Sequence, residues 1–216
     1  RFGWSRRNPE PRSQREGAWL IGQGVATAYY PFFRWPATVR VRISSDGTAI
    51  VQAAAHEMGM GTATVQIQHA AERLGLPVDK VSFHYGDSAL PDSPITAGGS
   101  SQTVTIVAAV QLAVEKAHRE LLKLAHRNGD SPLAGARYEH IQARDGGLFR
   151  TDEAKGETYS AILRRARQGF IEVEKATGQA MEIMKYSMAS YGAQFCEVRV
   201  NEETGEVRLS SWLGSF

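Results

Sequence analysis

The chain has 216 residues, 42% of them hydrophobic, and its 25 lysines and arginines nearly balance 23 aspartates and glutamates, for a formal charge of +2. That length and apolar fraction support one large folded domain or two small ones and exclude a disordered chain, while the balanced charge lacks the broad basic field that drives sequence-independent binding to nucleic acid, so no nucleic-acid partner is expected. The single cysteine, Cys196, excludes an internal disulfide framework, and no apolar run reaches the length of a membrane span or a signal segment.

Residues 1–17 are polar, contain Pro9 and Pro11 among Arg1, Arg6, Arg7, Arg12 and Arg15, and show no periodicity, which reads as a linker that is solvated or faces a partner. Trp19 to Tyr30 mixes glycine with apolar and small residues and reads as a strand packed closely against a neighbour or ligand. From Thr38 to Ile43 the alternation is clean: Val39, Val41 and Ile43 face one way and Thr38, Arg40 and Arg42 the other. Ser45-Asp46-Gly47 supplies a turn, and Ala49 to Ala55 returns as a more buried strand.

A first glycine turn follows, His56-Glu57-Met58-Gly59-Met60-Gly61-Thr62. The helix after it carries Ile67, Ala70, Ala71 and Leu74 on one face and stops at Gly75, before Pro77. Val81 to Tyr85 gives another strand. A proline-bearing loop, Pro91-Asp92-Ser93-Pro94, leads to a second glycine turn, Thr96-Ala97-Gly98-Gly99-Ser100-Ser101-Gln102-Thr103, and to the longest helix, with Val110, Val114, Ala117, Leu121 and Leu124 as its apolar stripe and Asn128-Gly129 as its stop. Tyr138 to Arg150 reads as a hairpin around Asp145-Gly146-Gly147, Thr158 to Arg167 as a short helix, and Phe170 to Glu174 as a short strand. Tyr186 to Phe195 is rich in small and sulfur-bearing residues. Val198 and Val200 then alternate into the turn Asn201-Glu202-Glu203-Thr204-Gly205, and Val207 and Leu209 continue on a return strand. This last hairpin echoes the first, which predicts a further helix beyond Phe216. With no initiator methionine and an apolar strand at its end, the chain reads as part of something longer. Strand pairs interspersed with helices, without strict alternation, predict an α+β fold of mixed sheets built from hairpin-plus-helix units.

Both glycine turns join a strand or loop to a helix start, where unpaired backbone N–H groups and the helix dipole suit a bound anion. Tight turns also need glycine for positive φ whether or not anything binds, and spacing alone leaves these two readings open. Other chemistries find little support. Gly59 and Gly61 lack the third glycine of a dinucleotide fingerprint, because Thr64 stands there, and neither turn has the lysine of a phosphate-binding loop. His56-Glu57 begins like a zinc-protease helix, but Met60 occupies the place of the second histidine. Ser100 or Ser101 with His84 and Asp87 would make a nucleophilic set without an elbow motif, and a helix cap is the simpler role for either serine. Cys196 reads as a small buried hydrophobe, and His69, His118 and His126 as surface or core-edge residues.

The run Val51 to Gly61, V-Q-A-A-A-H-E-M-G-M-G, the T-A-T-V-Q-I-Q-H-A-A-E-R-L-G-L-P that follows, the later A-G-G-S-S-Q-T, and Y-G-A-Q-F-C-E-V-R-V-N-E-E-T-G-E-V-R from Tyr191 to Arg208 together resemble the molybdopterin-binding large subunit of the xanthine dehydrogenase and aldehyde oxidoreductase family, nearest its bacterial aldehyde oxidases. The resemblance implies that Gly59, Met60, Gly61 and Thr62 lie along one part of a molybdenum–molybdopterin cofactor, in bacteria usually the cytosine dinucleotide form. Gly99, Ser100, Ser101, Gln102 and Thr103 would lie along another part, through N–H and hydroxyl donors. It implies a metal held by the pterin and by no protein ligand, a substrate of the aldehyde or heteroaromatic class, and iron–sulfur and FAD subunits or domains that carry electrons away.

The family's catalytic glutamate belongs to a C-terminal Gly-x-Gly-Glu-like motif that has no counterpart here, so no catalytic residue is expected in this chain, and the chain alone is expected to be inactive. Met60 replaces a glutamine of many relatives, which removes a hydrogen-bonding side chain and bears on cofactor type or binding strength. The expected division is a linker over 1–17, a first cofactor-binding subdomain over 18–130, and the start of a second α+β subdomain over 131–216. The rival expectation is a non-catalytic binding or interaction module that keeps the fold, and the two differ in what the natural reading frame encodes after Phe216. The resemblance admits a cytoplasmic or a periplasmic location. An exposed apolar patch near Val207–Phe216 is expected to favour self-association.

Overall fold

A computed structural model describes residues 2–31, 33–92, 97–127, 129–179 and 181–216. Arg1, Thr96 of the second turn, Ser93-Pro94 of the loop before it and Asn128, the expected helix stop, lie outside the described residues. The architecture is α+β, as expected. The chain forms two compact units: residues 33–181 make one, and residues 1–32 with 182–216 make the other.

In the 33–181 unit, β3 (Thr38–Ser44), β4 (Ala49–Gln52), β5 (Val81–His84) and β9 (Phe170–Ala176) form a mixed sheet in the order β5-β4-β3-β9. β4 and β5 run parallel, the other pairs antiparallel. The alternation read in β3 is its packing: Val39, Val41 and Ile43 are fully buried, while Arg40 and Arg42 on the other face lie opposite Glu174 and Glu172 of β9 and form ion pairs with them. Such half-exposed pairs contribute about 0.2–1 kcal/mol each.

The core is completed by two helices, α1 (Thr62–Leu74) and α2 (Gln102–His126). Ala70, Ala71 and Leu74 of α1 join the alanine- and valine-rich stripe of α2, from Ile106 through Ala109, Val110, Ala113 and Val114 to Leu121. α1 stops at Gly75, whose φ of +60° is left-handed. A side chain there would also meet the backbone of Arg144 at 2.4 Å from its Cβ, so only glycine fits. Arg144 belongs to a small antiparallel sheet of β6 (Ile141–Arg144), β7 (Gly147–Arg150) and β8 (Gly156–Thr158), followed by α3 (Tyr159–Arg165), whose N-cap Thr158 accepts the Ala161 N–H at 3.2 Å.

The other unit is a four-stranded antiparallel sheet in the order β1-β2-β10-β11, with β1 (Arg15–Glu16), β2 (Trp19–Pro31), β10 (Ala189–Asn201) and β11 (Val207–Ser215). β2 and β10 pair along their whole length, from Trp19 opposite Asn201 to Pro31 opposite Ala189. This pairing overrides the expected division at 130/131, because strands from the two ends of the sequence make one sheet and the residues between them in sequence form the other unit. Nor are residues 1–17 a bare linker. The rings of Phe2 and Trp4 pack on Phe195, each at 5.6 Å between centroids, Arg15 is ion-paired with Glu202, and Glu16 with Arg199. Among the described residues every buried hydrophobic side chain belongs to the 33–181 unit. In the two-ended sheet, Val207, Leu209, Trp212 and Phe216 are exposed, the apolar patch the sequence predicts. Cys196, expected to be buried, is half-exposed on β10, since this sheet has no core to bury it.

Candidate functional site

Beyond β4 the chain passes through buried Ala53 and Ala55, tied by backbone hydrogen bonds to His84 and Gly86, and enters the first glycine turn. Gly59 and Gly61 have φ of +100° and +73°, and Gly61 is the N-cap of α1, without a side-chain cap of its own. The amides expected to be free are engaged. The N–H groups of Gly59 and Gly61 donate to Glu57 Oε1 at 2.7 and 3.1 Å, and that of Thr62 donates to Oε2 at 2.7 Å. Partial desolvation pushes the Glu57 carboxyl up, but the amides of Gly61, Gly59, Thr62 and Met60 together outweigh it and hold the group below the usual carboxylate range. The sequence carried a signal for this, an acidic residue just before a helix start, where N–H donors and the dipole both favour it.

Met60 has a local role: its Sδ accepts the Met58 N–H at 3.4 Å, and both methionine side chains are exposed. The expected hydroxyl donor Thr62 points inward. Its residue is fully buried and its Oγ1 has no partner among the described residues.

The second turn pairs two left-handed residues, Gly99 (φ +60°) and Ser100 (φ +53°), and leads into α2 through Ser101. Ser101 occupies the N-cap position without capping. Its Oγ donates to the Gly98 carbonyl at 2.8 Å instead, so the N-cap residue of α2 gives the helix start no side-chain cap. Gln102 is 3% exposed and its amide is already used: Oε1 accepts the His56 N–H at 3.1 Å, and Nε2 donates to the His56 carbonyl at 2.7 Å. A second glutamine works the same way, as Gln66 of α1 donates from Nε2 to the Thr103 carbonyl at 3.2 Å. These bonds place the two glycine turns side by side within one unit.

Other residues singled out from the sequence do not assemble into a reactive set. His84 Nε2 lies 3.5 Å from Ser82 Oγ, and Asp87 Oδ1 accepts the Ala89 N–H at 2.8 Å, so both face partners other than Ser100 and Ser101. His118, expected at the surface or the core edge, is 5% exposed. Its Nε2 lies 2.9 Å from Tyr159 Oη, which donates its only proton to the Leu74 carbonyl at 2.7 Å. His118 must therefore donate from Nε2 as a neutral ring; burial lowers its pKa to about 4.

The chain matches a family model described as molybdopterin cofactor-binding domain over residues 1–213. The chain belongs to this family. It is 32% identical over 214 residues to the aldehyde oxidoreductase molybdenum-binding subunit PaoC of Escherichia coli (strain K12), a match that takes in 99% of this chain and 27% of that protein. It is also 32% identical to the probable hypoxanthine oxidase XdhD of the same strain, over 97% of this chain and 21% of that protein. Among solved structures, quinoline 2-oxidoreductase from Pseudomonas putida 86 superposes with a TM-score of 0.76 at 18% identity, over 91% of this chain and 27% of that one. The domain thus spans about a quarter of the length of PaoC.

The site's geometry suits the cofactor for which this family is named. At Gly59 and Gly61 no atom lies within 4 Å of where a Cβ would stand, so the main chain of the first turn is uncovered on that side. Among the described residues no three His, Cys, Asp or Glu side chains cluster to hold a metal ion, and the first turn's amides of Gly59, Gly61 and Thr62 are taken by Glu57, which leaves the hydroxyls of Ser100 and Thr103 as the side-chain donors of the second turn.

Proposed function

We propose that this domain is the part of a molybdenum hydroxylase large subunit that grips the molybdenum–molybdopterin cofactor with its two glycine turns. The observation that carries this reading is the Gln102–His56 bridge, which sets the turns against each other so that one extended ligand can touch both. Gly59, Met60 and Gly61 line one side, with Thr62 buried behind them, and Gly99, Ser100, Ser101, Gln102 and Thr103 the other. Gln102 contributes its backbone N–H, its side chain being committed to His56, and Ser100 and Thr103 supply hydroxyls. The bound cofactor supplies two-electron oxidation of an aldehyde or N-heteroaromatic carbon, the substrate classes suggested by the relatives' names. The domain's residues bind and orient that cofactor, and the general base comes from another part of the full-length protein. The cofactor is of the cytosine dinucleotide form, and iron–sulfur and FAD subunits or domains take the electrons.

Molybdenum analysis and identification of the extracted pterin in the natural full-length protein test this reading, with Gly59→Val and Gly99→Val as variants. The wild type carries molybdenum and a pterin dinucleotide, and each variant loses most of its metal. Full metal content in both variants contradicts the assignment. Residues 1–216 alone, assayed with an aromatic aldehyde and an artificial electron acceptor, give no turnover, and measurable turnover places the base within them.

A further inference from the structure

The carboxylate of Glu57 occupies the place where the first turn could receive a ligand's anion. The amides of Gly59, Gly61 and Thr62 converge on its two oxygens at 2.7, 3.1 and 2.7 Å, and no other side chain caps α1. A tethered carboxylate competes with any external anion at the high effective concentration of an intramolecular group, and a second negative charge brought to the same donors is repelled by the first. What the turn leaves accessible is uncharged: the open space beside Gly59 and Gly61, and the exposed side chains of Met58 and Met60.

Resting on the cofactor-binding reading above, we propose that Glu57 is a positioning residue, a built-in anion that holds the first turn in shape and keeps phosphate groups off its amides, so that this turn meets an uncharged part of the ligand. The alternation of left-handed glycines that makes these amides converge is then set by the protein's own carboxylate, and the shape exists before any ligand arrives.

Hydrogen exchange with mass-spectrometric readout on the cofactor-free full-length protein tests this, using Glu57→Ala and Glu57→Gln. In the wild type the amides of Gly59, Gly61 and Thr62 exchange slowly, and adding inorganic phosphate leaves them unchanged. Glu57→Ala speeds their exchange roughly tenfold or more, as expected for the loss of charge-assisted bonds, without changing the later turns of α1. Phosphate then protects these same amides in the variant. Glu57→Gln, which keeps an acceptor oxygen but no charge, exchanges at an intermediate rate, and it decides the question by the same criterion if Glu57→Ala loses its fold. Unchanged exchange at these amides in the variants, or their protection by phosphate in the wild type, overturns the proposal. Because the readout needs no cofactor, a full-length protein without molybdopterin would defeat the functional reading and leave this result standing.

Discussion

The side-chain amide of Gln102 lies against the backbone of His56 in both directions, accepting its N–H at 3.1 Å and donating to its carbonyl at 2.7 Å. A residue at the start of one helix thereby sets the position of the loop before another. Gln102→Ala leaves both His56 groups without these partners in a site where Gln102 is 3% exposed, a loss of about 2–4 kcal/mol. Denaturant unfolding of the full-length protein should show that loss together with reduced molybdenum content. Gln102→Glu keeps the acceptor but sets a negative oxygen against the His56 carbonyl, and should be at least as damaging as alanine. Wild-type stability and metal content in both variants would mean that the bridge holds nothing in place.

His118 makes stability depend on pH. Its folded pKa, about 4, is depressed by burial below the 6.5 of a free histidine. The unfolded chain therefore binds the proton more readily, so the stability held above pH 6.5 is lost progressively as pH falls toward 4. By linkage the full loss is on the order of 3 kcal/mol. Unfolding free energies measured between pH 7 and pH 4 should show this slope, and a His118→Gln variant should flatten it. An equal slope in the variant would assign the effect to other groups.

Tyr159 connects this histidine to the end of α1. Tyr159→Phe strands the His118 Nε2–H and the Leu74 carbonyl in a buried setting, at a cost of about 2–4 kcal/mol. The double variant Tyr159→Phe with His118→Leu removes both polar partners on the histidine side. It should cost less than the sum of the two single changes, which a double-mutant cycle measures.

Gly75→Ala combines a left-handed φ of +60° with a Cβ placed 2.4 Å from Arg144 Cα. The loss should be about 2–4 kcal/mol, visible as a lowered melting temperature. A neutral substitution would contradict the close approach of β6 to the end of α1.

Met60→Gln restores a side chain that can hydrogen-bond at the first turn. Gln Oε1 can take over the Met58 N–H that Met60 Sδ now accepts, so folding stability should stay within about 1 kcal/mol of wild type. Molybdenum retained after dialysis should rise. Unchanged retention would show that the ligand makes no use of this position.

Elements with a local signal were legible in the sequence. The alternation of Val39, Val41 and Ile43 located β3 and its buried face, and Gly75 marked the end of α1 because positive φ at a helix stop is a local requirement. What escaped is non-local. Ala189 to Phe195 has few residues of strong strand propensity and becomes a strand because β2, from the other end of the sequence, supplies its hydrogen bonds. The same long-range pairing moved the domain boundary. At the site, the two glycine turns were readable as a pair. Their internal wiring was not, because side chains that resemble ligand donors in a sequence can be consumed by their own fold: Gln102 by His56, Ser101 by Gly98, and the turn's amides by Glu57.

Whether both glycine turns hold one cofactor is decided by the crystal structure of the cofactor-loaded full-length protein. A single molybdopterin ligand should lie within hydrogen-bonding or van der Waals distance of both Gly59–Thr62 and Gly99–Thr103, with Glu57 still on its amides. A cofactor that touches neither turn, or only one of them, would contradict it.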